Sequence, residues 1–258
     1  MSNVIVTYDS GLGGLTVFRH LVRLLPAHDH LYVADDRLFP IGGLDETEVI
    51  AHCGGAIDNL IDVHNPVAVV IACNTASTLL LPYLREKHPL PFVGTVPAIK
   101  PAAKVTRSGT ISVLATPGTV KRDYTRALVD KFAKDIAVNL VGSTNLAVLA
   151  ESYLETGVIS EEDVLDEIMP CFVEVPSKTD VIALACTHYP LLLPVLNHIA
   201  PWPVEWIDPG SAIARRCVEV VPKVEMVSGD RNYLKLSGQA FPNAAISMVQ
   251  AFEKETIS

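Results

Sequence analysis

Short runs of apolar, β-branched residues alternate along the chain with longer stretches whose apolar positions recur at helical spacing. This alternation is typical of βαβ units around a buried parallel sheet, because strands that are covered on both faces read as continuous apolar runs. The sequence therefore predicts an α/β fold with doubly wound parallel sheets. The predicted strands are 4–8, 30–34, 67–72, 92–94, 110–115, 137–141, 181–185 and 204–207, and the predicted helices are 15–25, 46–64, 79–87, 119–132 and 161–172.

Two clusters of proline and glycine interrupt the alternation of strands and helices. The first lies around residues 95–109 and holds Pro97, Pro101 and Gly109, and the second lies around residues 200–210. Because proline and glycine disfavour regular structure, such clusters mark turns and linkers. We expect the chain to cross between domains at both places.

One stretch in the first half of the chain recurs in the second half. Residues 66–75 read as an apolar strand that ends in Ala-Cys followed by Thr, with Leu-Leu-Leu-Pro further on, and residues 178–187 begin the same order. Removing Asn74 aligns both the threonine and the Leu-Leu-Leu-Pro string. Coincidence between two buried strands is the alternative, since such strands share Val, Ile, Ala and Leu. The repeat predicts two halves with one strand-end thiol each, Cys73 and Cys186.

The net charge limits the classes of partner. The chain has 258 residues, with 20 Lys+Arg, 29 Asp+Glu and a formal net charge of -9 at pH 7. Nucleic acids and anionic membranes attract proteins through basic surfaces, so we expect neither as a partner. No apolar run approaches the ~18 residues of a membrane helix, and the first residues lack the basic and apolar regions of a secretory signal. The sequence therefore predicts a cytoplasmic globular protein.

Polar side chains follow the predicted strands at their carboxyl ends. Ligands of open α/β sheets bind there, where the next helix presents its free N–H groups. The five short strings found at these strand ends contain neither Lys nor Arg. Neutral donors would therefore hold an anionic ligand, which suits a small carboxylate. The glycine-rich loop after the first strand fails the dinucleotide pattern, because Thr16 stands where the third glycine belongs. The strings are Asp9-Ser10-Gly11, Asp35-Asp36, Cys73-Asn74-Thr75, Thr116-Pro117-Gly118-Thr119 and Cys186-Thr187-His188.

The five cysteines fall into two groups by position. Cys53, Cys171 and Cys217 have no motif around them, and we expect them to be small buried apolar residues. Cys73 and Cys186 each follow a predicted strand and precede a helix, a position that lowers the pKa of a thiol. These two thiols are therefore the candidates for chemistry.

Three chemistries are open to Cys73 and Cys186. One cysteine with His188 as its proton partner would favour acyl transfer through a thioester. Two thiols that face one pocket would instead act as acid and base on opposite sides of a carbon atom and invert it, with no cofactor required. Metal binding by both cysteines and His188 competes with these, although no usual ligand spacing is present.

Four strings of this chain resemble those of the glutamate racemases, in the aspartate/glutamate racemase superfamily. They are Asp9-Ser10-Gly11-Leu12-Gly13-Gly14, Ala72-Cys73-Asn74-Thr75-Ala76-Ser77, Cys186-Thr187-His188-Tyr189-Pro190 and Ser228-Gly229-Asp230. The resemblance implies two flavodoxin-like domains related by the internal repeat, with the active site between them. It assigns both chain ends to the first domain, 1–96 plus 208–258, and 97–207 to the second.

The same resemblance carries expectations about activity. It implies a bacterial cytoplasmic enzyme that needs no cofactor or metal, interconverts L-glutamate and D-glutamate, and supplies D-glutamate for peptidoglycan synthesis. Glutamate is then the small-molecule partner. A homodimer is compatible with the resemblance, although the sequence sets no oligomeric state.

Carried to this sequence, the resemblance makes Cys73 the base that acts on D-glutamate and Cys186 the base that acts on L-glutamate. Asp9 corresponds to the residue that assists the first thiol, and Glu151 and His188 correspond to those that assist the second. The resemblance also implies contacts to the substrate, and these fall at Asp9, Ser10, Ile41, Gly42, Asn74, Thr75, Thr187 and His188.

At one string the chain departs from the family. Where the family usually has Pro-Tyr-Gly, this sequence reads Pro40-Ile41-Gly42, so the ring and hydroxyl of tyrosine are absent. The family's contacts at this string are expected largely from the backbone. We therefore expect binding to survive with altered affinity.

Rival functions follow from the same residues. Within the enzymes, the cysteine pair would also serve racemisation of aspartate or another amino acid. In a different class, Asp9, Asp35 and Asp36 at strand ends would suit a cation-dependent phosphoacceptor or a ligand-binding module without turnover. The acidic net charge would also suit an interaction protein with a DNA-like surface, although acidic solvated faces are far commoner.

Overall fold

The computed structural model describes residues 2–225 and 228–254, which form two compact units. The first unit runs to Thr95 and resumes at Gly210, and the second is Val96–Pro209. Among the described residues no helix is both long and apolar enough to cross a membrane. Each unit is an α/β structure built on a parallel sheet of its own.

Strands and helices alternate along almost the whole chain. The strands are β1 Val4–Asp9, β2 Asp29–Ala34, β3 Ala68–Ile71, β4 Phe92–Gly94, β5 Thr110–Ala115, β6 Ala137–Gly142, β7 Val181–Ala185, β8 Glu205–Ile207 and β9 Arg231–Lys235. The helices are α1 Leu15–Leu24, α2 Glu46–His64, α3 Asn74–Lys87, α4 Ile99–Val105, α5 Pro117–Lys121, α6 Asp123–Phe132, α7 Leu146–Thr156, α8 Glu161–Ile168, α9 Leu193–Ile199, α10 Gly210–Val220 and α11 Asn243–Lys254.

The first unit contains a five-stranded sheet in the order β4-β3-β1-β2-β9. All four strand pairings are parallel. β1 lies in the middle, with β2 on one side and β3 on the other, so the direction of winding reverses between β1 and β3. In such sheets ligands bind beyond the carboxyl ends of the strands at this reversal. Asp9 ends β1, and Cys73 follows β3.

The second unit contains a four-stranded parallel sheet in the order β6-β5-β7-β8. Its first strand, β5, lies between β6 and β7, as β1 lies between β2 and β3 in the first unit. Cys186 follows β7 as Cys73 follows β3. The two thiols thus occupy equivalent places in their sheets, and the predicted doubly wound fold with an internal repeat is confirmed.

Apolar side chains fill both faces of the first sheet. On one face α2 and α3 pack against the strands, with Tyr8, Ile57 and Leu80 fully buried. On the other face α1 and α10 cover the sheet. Burial on both faces is the physical reason why the strands read as continuous apolar runs in the sequence.

Several helices differ from the predicted ranges. α3 begins at Asn74, five residues before the predicted start at 79, because Cys73 already has extended backbone angles and is the N-cap. The predicted helix 119–132 is two helices, since Arg122 between α5 and α6 is extended. The predicted helix 161–172 ends at Ile168 and continues as a 3-10 turn.

The Ser228-Gly229-Asp230 string anchors β9 to the first sheet. The N–H of Gly229 donates to the carbonyl of Pro26 at 2.8 Å, and the N–H of Asp230 donates to the Asp29 carboxylate at 2.8 Å. A Cβ at Gly229 would lie 2.0 Å from the carbonyl oxygen of His28, so only glycine fits. This string therefore lies at the amino ends of β2 and β9, away from the strand ends that carry the cysteines.

Candidate active site

In the first unit, the ends of β1 and β3 bring Asp9, Ser10 and Cys73 together. Tyr8 pairs with Ile71 in the parallel ladder, and the N–H of Ala72 donates to the carbonyl of Tyr8 at 2.8 Å. The hydroxyl of Ser10 and the thiol of Cys73 are 3.3 Å apart and share a hydrogen bond. Parallel pairing of two strands thus places residues 63 positions apart in direct contact.

Asp9 is held rigidly at the end of β1. Its side chain is fully buried, and its carboxylate accepts the N–H of Gly11 at 3.2 Å. A Cβ at Gly14 would lie 2.7 Å from the Cβ of Asp9, so glycine at this position lets the start of α1 approach the carboxylate. The glycine-rich loop therefore serves close packing beside Asp9.

The thiol of Cys73 is protonated in the free protein. Burial raises the pKa of Cys73 well above the usual range, and the negative charge of Asp9 raises it further. The hydroxyl of Ser10 and the N–H of Ala76 act in the opposite direction without reversing the shift. The expectation that the helix start lowers the pKa of Cys73 is therefore wrong, because desolvation and a nearby carboxylate outweigh the helix N-terminus.

Asn74 carries a buried side-chain amide with unused hydrogen-bonding groups. The residue is 3% exposed, and neither its amide oxygen nor its amide nitrogen has a hydrogen-bond partner within residues 2–225 and 228–254. Buried polar atoms are almost always paired, so an unpaired amide beside a thiol points to a bound polar ligand. Thr75, the next residue of α3, is also buried.

In the second unit, Cys186, His188 and Glu151 form a chain of contacts. Nδ1 of His188 is 3.9 Å from the sulfur of Cys186, and Nε2 of the same ring is 2.6 Å from the Glu151 carboxylate. Both Cys186 and His188 are buried, and the Glu151 side chain is largely so. α7 supplies the glutamate, and the turn after β7 supplies the thiol and the imidazole.

The histidine of this chain of contacts holds a proton. Burial by itself lowers the pKa of His188, but hydrogen bonds with Cys186 and Glu151, together with their negative charges, raise it well above the usual value. An imidazolium between a carboxylate and a thiol stabilises the thiolate electrostatically. The structure thus places His188 within reach of the thiol for which the sequence predicts it as a proton partner.

The remaining predicted contact residues lie in two places. Thr187, which lies between Cys186 and His188 in the sequence, is buried. Ile41 and Gly42 form a buried 3-10 turn after β2, and the side chain of Ile41 packs in the apolar core that also includes Cys73. The Ile41 side chain thus belongs to the core of the first unit, which leaves the backbone of this turn for any ligand contact.

The acidic residues after β2 are paired within the protein. Asp35 accepts hydrogen bonds from the hydroxyl of Tyr8 at 2.7 Å, from Arg37 at 2.7 Å and 3.0 Å, and from His52 at 3.1 Å. Asp36 pairs with the side chains of Ser237 and Lys235. In the part of the chain that the structure describes, no group of three or more His, Cys, Asp or Glu residues is arranged to hold a metal ion. These contacts disfavour the phosphoacceptor alternative, because both carboxylates are already occupied.

The three cysteines without motifs are buried, as predicted. Burial raises the pKa of Cys53 to about 11 and that of Cys217 to about 12, and it raises the pKa of Cys171 further still. They therefore remain thiols at neutral pH.

One element of the site was missed in the sequence analysis. α7, which carries Glu151, was not predicted as a helix, although Gly157 follows it in the left-handed conformation typical of a helix C-terminus. Leu146, Ala147 and Ala150 are its buried residues, at helical spacing. That spacing together with Gly157 is the signal that could have identified it.

The chain matches one family model and several related sequences, and all of them are described as racemases. The model of the family described as Asp/Glu/Hydantoin racemase matches residues 13–217. The chain is 53% identical over 223 residues to a glutamate racemase of Mesorhizobium japonicum, covering 86% of this chain and 85% of the relative. It is 53% identical over 220 residues to that of Sinorhizobium fredii, covering 84% and 82%.

Among solved structures, the glutamate racemase of Escherichia coli in complex with L-glutamate and the activator UDP-MurNAc-Ala matches with a TM-score of 0.87. The two chains are 33% identical, and the match covers 98% of this chain and 96% of the other. The glutamate racemase isoform RacE1 of Bacillus anthracis matches with a TM-score of 0.79 at 25% identity, covering 99% and 96%.

Proposed function

The chain belongs to the Asp/Glu/hydantoin racemase family, and we propose that it is an isomerase that interconverts L-glutamate and D-glutamate. Its relatives at 53% identity are glutamate racemases, and the similar protein of Escherichia coli binds L-glutamate. The observation that carries the proposal is the placement of one buried thiol, with its own proton-handling partners, after the equivalent strand of each sheet.

Cys73 and Cys186 act as the two acid/base groups. One thiolate removes the α-proton of glutamate from one face, and the thiol of the other cysteine delivers a proton to the opposite face. Cys186 removes the proton of L-glutamate and Cys73 that of D-glutamate. Inversion requires one residue of the pair to act as a thiolate base and the other as a thiol acid, and two cysteines can supply both functions.

The contacts around Cys186 prepare it as the base for L-glutamate. The protonated His188 stabilises a thiolate at Cys186, and Glu151 holds the imidazolium in place at 2.6 Å. After Cys186 takes the α-proton, Cys73, whose pKa is raised by burial and by Asp9, delivers its proton to the other face. The L-to-D direction therefore uses Cys186 as the base and Cys73 as the acid.

The D-to-L direction requires Cys73 to lose its proton first. The negative charge of Asp9 opposes this loss in the free protein. The α-ammonium group of a bound amino acid near Asp9 would offset that charge, and the hydroxyl of Ser10 at 3.3 Å would stabilise the thiolate. Substrate binding itself thus lowers the barrier to deprotonation of Cys73.

Polar groups hold the substrate's carboxylates. The unpaired amide of Asn74 offers a donor and an acceptor beside Cys73. The start of α3 adds backbone N–H groups, which favour an anion. Further contacts come from side chains and backbone at Ser10, Ile41, Gly42, Thr75, Thr187 and His188, with Asp9 facing the amino group.

The biological setting follows the family. D-glutamate made by the chain supplies peptidoglycan synthesis and so cell-wall biogenesis and cell shape, and we place the reaction in the cytoplasm. We place the domains at 1–96 with 208–258 and at 97–207, a division that the two compact units support. Two thiols provide all of the acid/base chemistry, so neither a cofactor nor a metal ion takes part. Glutamate is the small-molecule partner. The same chemistry serves a monomer or a homodimer.

Purified protein tests this proposal directly. Circular dichroism or chiral chromatography should detect conversion of L-glutamate to D-glutamate, and the reverse, after dialysis against EDTA and without pyridoxal phosphate. Faster conversion of aspartate would instead assign a different substrate. Loss of activity that added metal restores would contradict the cofactor-free chemistry.

A matched pair of cysteine variants separates chemistry from stability. Cys73→Ala and Cys186→Ala should lack turnover in both directions, since each thiol is the base for one direction and the acid for the other. Cys217→Ala removes an equally buried thiol from α10 and should retain turnover. Equal losses in all three variants would show that the activity depends on packing alone.

A further inference from the structure

Ser143 joins the end of β6 to the start of α7. Its N–H donates to the carbonyl of Ala115 at 2.8 Å, which fixes the residue beside the end of β5. Its hydroxyl oxygen accepts the N–H of Leu146, the first residue of α7, at 3.1 Å. The four leading N–H groups of a helix have no partner within it, so this contact anchors the helix start.

Glu167 completes the anchor from a second helix. The hydroxyl of Ser143 donates to the Glu167 carboxylate at 2.5 Å, and Glu167 lies on α8, which packs against α7. Ser143 is buried, so its hydroxyl has a fixed donor role toward the carboxylate and a fixed acceptor role toward Leu146. The carboxylate thus sets the orientation of the hydroxyl that holds the helix.

Tyr189 lies between this anchor and the turn that carries the second thiol. The residue directly follows His188 and is fully buried. The pKa of Tyr189 is raised first by burial and then by Cys186, while a contact with Ser143 lowers it. Ser143 and Glu167 therefore lie near Tyr189, the residue that follows His188.

The anchored helix carries Glu151. An α-helix rises about 1.5 Å per residue, so Glu151 lies little more than one turn beyond the anchored Leu146. Its carboxylate meets Nε2 of His188 at 2.6 Å, a short distance that a small shift or rotation of α7 would lengthen. The position of the first turn of α7 thus decides how well the histidine is held.

We propose that Glu167 is a positioning residue for racemisation: through Ser143 it fixes the start of α7 and so holds Glu151 against His188, the proton partner of Cys186. The inference rests on the proposed function, because the reaction defines the role of Cys186. It adds two side chains, Glu167 and Ser143, that act through α7.

Loss of the anchor should slow proton transfer at Cys186 and leave substrate binding nearly unchanged. Acid/base groups contribute about 10²–10⁴-fold to rates, so partial misplacement in Glu167→Ala or Ser143→Ala should lower kcat about tenfold with little change in KM. Glu167→Gln keeps an oxygen that accepts from Ser143 and should recover most of the rate. Asp166→Ala, which removes the neighbouring exposed carboxylate of α8, is the control.

Primary isotope effects on kcat separate a catalytic defect from a loss of stability, because a loss of stability does not change them. With L-glutamate deuterated at the α-carbon, removal by Cys186 should become more rate-limiting in Glu167→Ala, so the primary isotope effect should rise. With D-glutamate deuterated at the same carbon, removal by Cys73 should become less rate-limiting, so the isotope effect should fall. A smaller fraction of folded enzyme would lower kcat and leave both isotope effects at parental values.

A titration of His188 requires no turnover, so it tests the positioning role independently of the proposed function. NMR titration of the imidazole of His188, assigned with His188→Gln, should show a lower pKa in Glu167→Ala and Ser143→Ala than in the parent and Asp166→Ala. The parent protein's failure to racemise glutamate would refute the proposed function and leave this titration intact. The positioning role would be overturned if Ser143→Ala and Glu167→Ala kept the parental isotope effects and the parental His188 titration. It would also be overturned if Glu167→Gln were as impaired as Glu167→Ala.

Discussion

A side-chain amide that is buried without a hydrogen-bond partner costs a folded protein about 1–3 kcal/mol. Asn74 is such a residue: both polar atoms of its amide lack partners within the described part of the chain, and it lies beside Cys73 at the start of α3. Proteins keep such groups where a ligand uses them, since the ligand then provides the missing contacts. We therefore expect the amide to serve substrate binding at a cost in stability of the free protein.

Asn74→Ala should separate stability from binding. Removing the unpaired amide should leave the free energy of unfolding unchanged or raise it by about 1 kcal/mol, because relief of desolvation offsets the small cavity. The KM for glutamate should rise at least about tenfold, the loss of about 1.4 kcal/mol of binding. Urea denaturation and steady-state kinetics measure the two effects.

Asn139→Ala is the matched control for Asn74→Ala. The Asn139 amide donates to the carbonyl of Pro170 at 2.7 Å, so its removal should destabilise the protein by about 1 kcal/mol and leave KM unchanged. A marked loss of stability in Asn74→Ala with an unchanged KM would mean that the amide serves the fold and not the substrate.

His188 links the second thiol to the pH dependence of stability. Its pKa in the folded protein is raised by Cys186 and Glu151 despite burial, whereas in the unfolded chain it returns to about 6.5. A group whose pKa is raised on folding contributes stability in full below the unfolded pKa. That contribution is lost as the pH rises through the folded pKa.

The free energy of unfolding of the parent should therefore fall, relative to that of His188→Gln, as the pH rises from about 6.5 into the alkaline range. The glutamine variant lacks the titrating ring, so other groups cancel in the comparison. Urea denaturation of both proteins across this range measures the difference. A difference that stays constant would indicate that the imidazole is not held as a cation between Glu151 and Cys186.

At the scale of elements, the buried strands were predictable and several helices were not. Strands such as β3 and β7 are covered on both faces, so their sequences carry a continuous apolar signal. The first turn of α3 consists of Asn-Thr-Ala-Ser, in which Asn, Thr and Ser are weak helix formers. The turn is helical because of its position directly after β3 in the folded chain. β9 is polar and pairs on one side only, with β2, so it has no apolar run.

The string at the start of β9 shows how a motif found by resemblance acquires a physical role only in the structure. Gly229 packs against the backbone of His28, where a Cβ would lie 2.0 Å from the carbonyl oxygen. Sequence alone places this string among those with the cysteines. The contacts show that it joins β9 to β2 instead.

Gly229→Ala should destabilise the first unit and spare the chemistry. Overpacking against backbone typically costs about 1–3 kcal/mol, and β9 and the start of β2 would have to separate. Molecules that remain folded should keep the parental kcat, because the site lies at the opposite ends of the strands. Gly55→Ala in α2, where a Cβ meets nothing within 4 Å, is the control and should retain or gain stability. Parental stability of Gly229→Ala would contradict the anchoring role, as would loss of kcat in folded protein.

At the scale of the whole molecule, the internal repeat explains why so much of the site could be predicted. Cys73 and Cys186 follow equivalent strands, and the topology of each sheet places the strand end where α/β proteins bind ligands. The partners of each thiol differ between the units and follow no repeat. Ser10 reaches the first thiol by strand pairing, whereas Glu151 reaches His188 from a helix 37 positions away.

Those partners could not be derived from the pattern of the sequence. Glu151 stands in an undistinguished helical stretch, and only the resemblance pointed to it. The high pKa of Cys73 also escaped prediction, because position at a helix start favours a low value while burial and Asp9 decide the outcome. Long-range contacts and desolvation are properties of the folded chain, and no local string encodes them.

In the proposed reaction each of the two thiols serves one face of the α-carbon. The most direct measurement is racemisation in D2O, stopped early and analysed by mass spectrometry after separation of the enantiomers. A proton taken by one thiolate stays on that side while the other thiol delivers a deuteron, so the product should carry deuterium at the α-carbon and the recovered substrate almost none. Early product that keeps the original proton, or appreciable turnover by Cys73→Ala or Cys186→Ala under the same conditions, would contradict the two-thiol account.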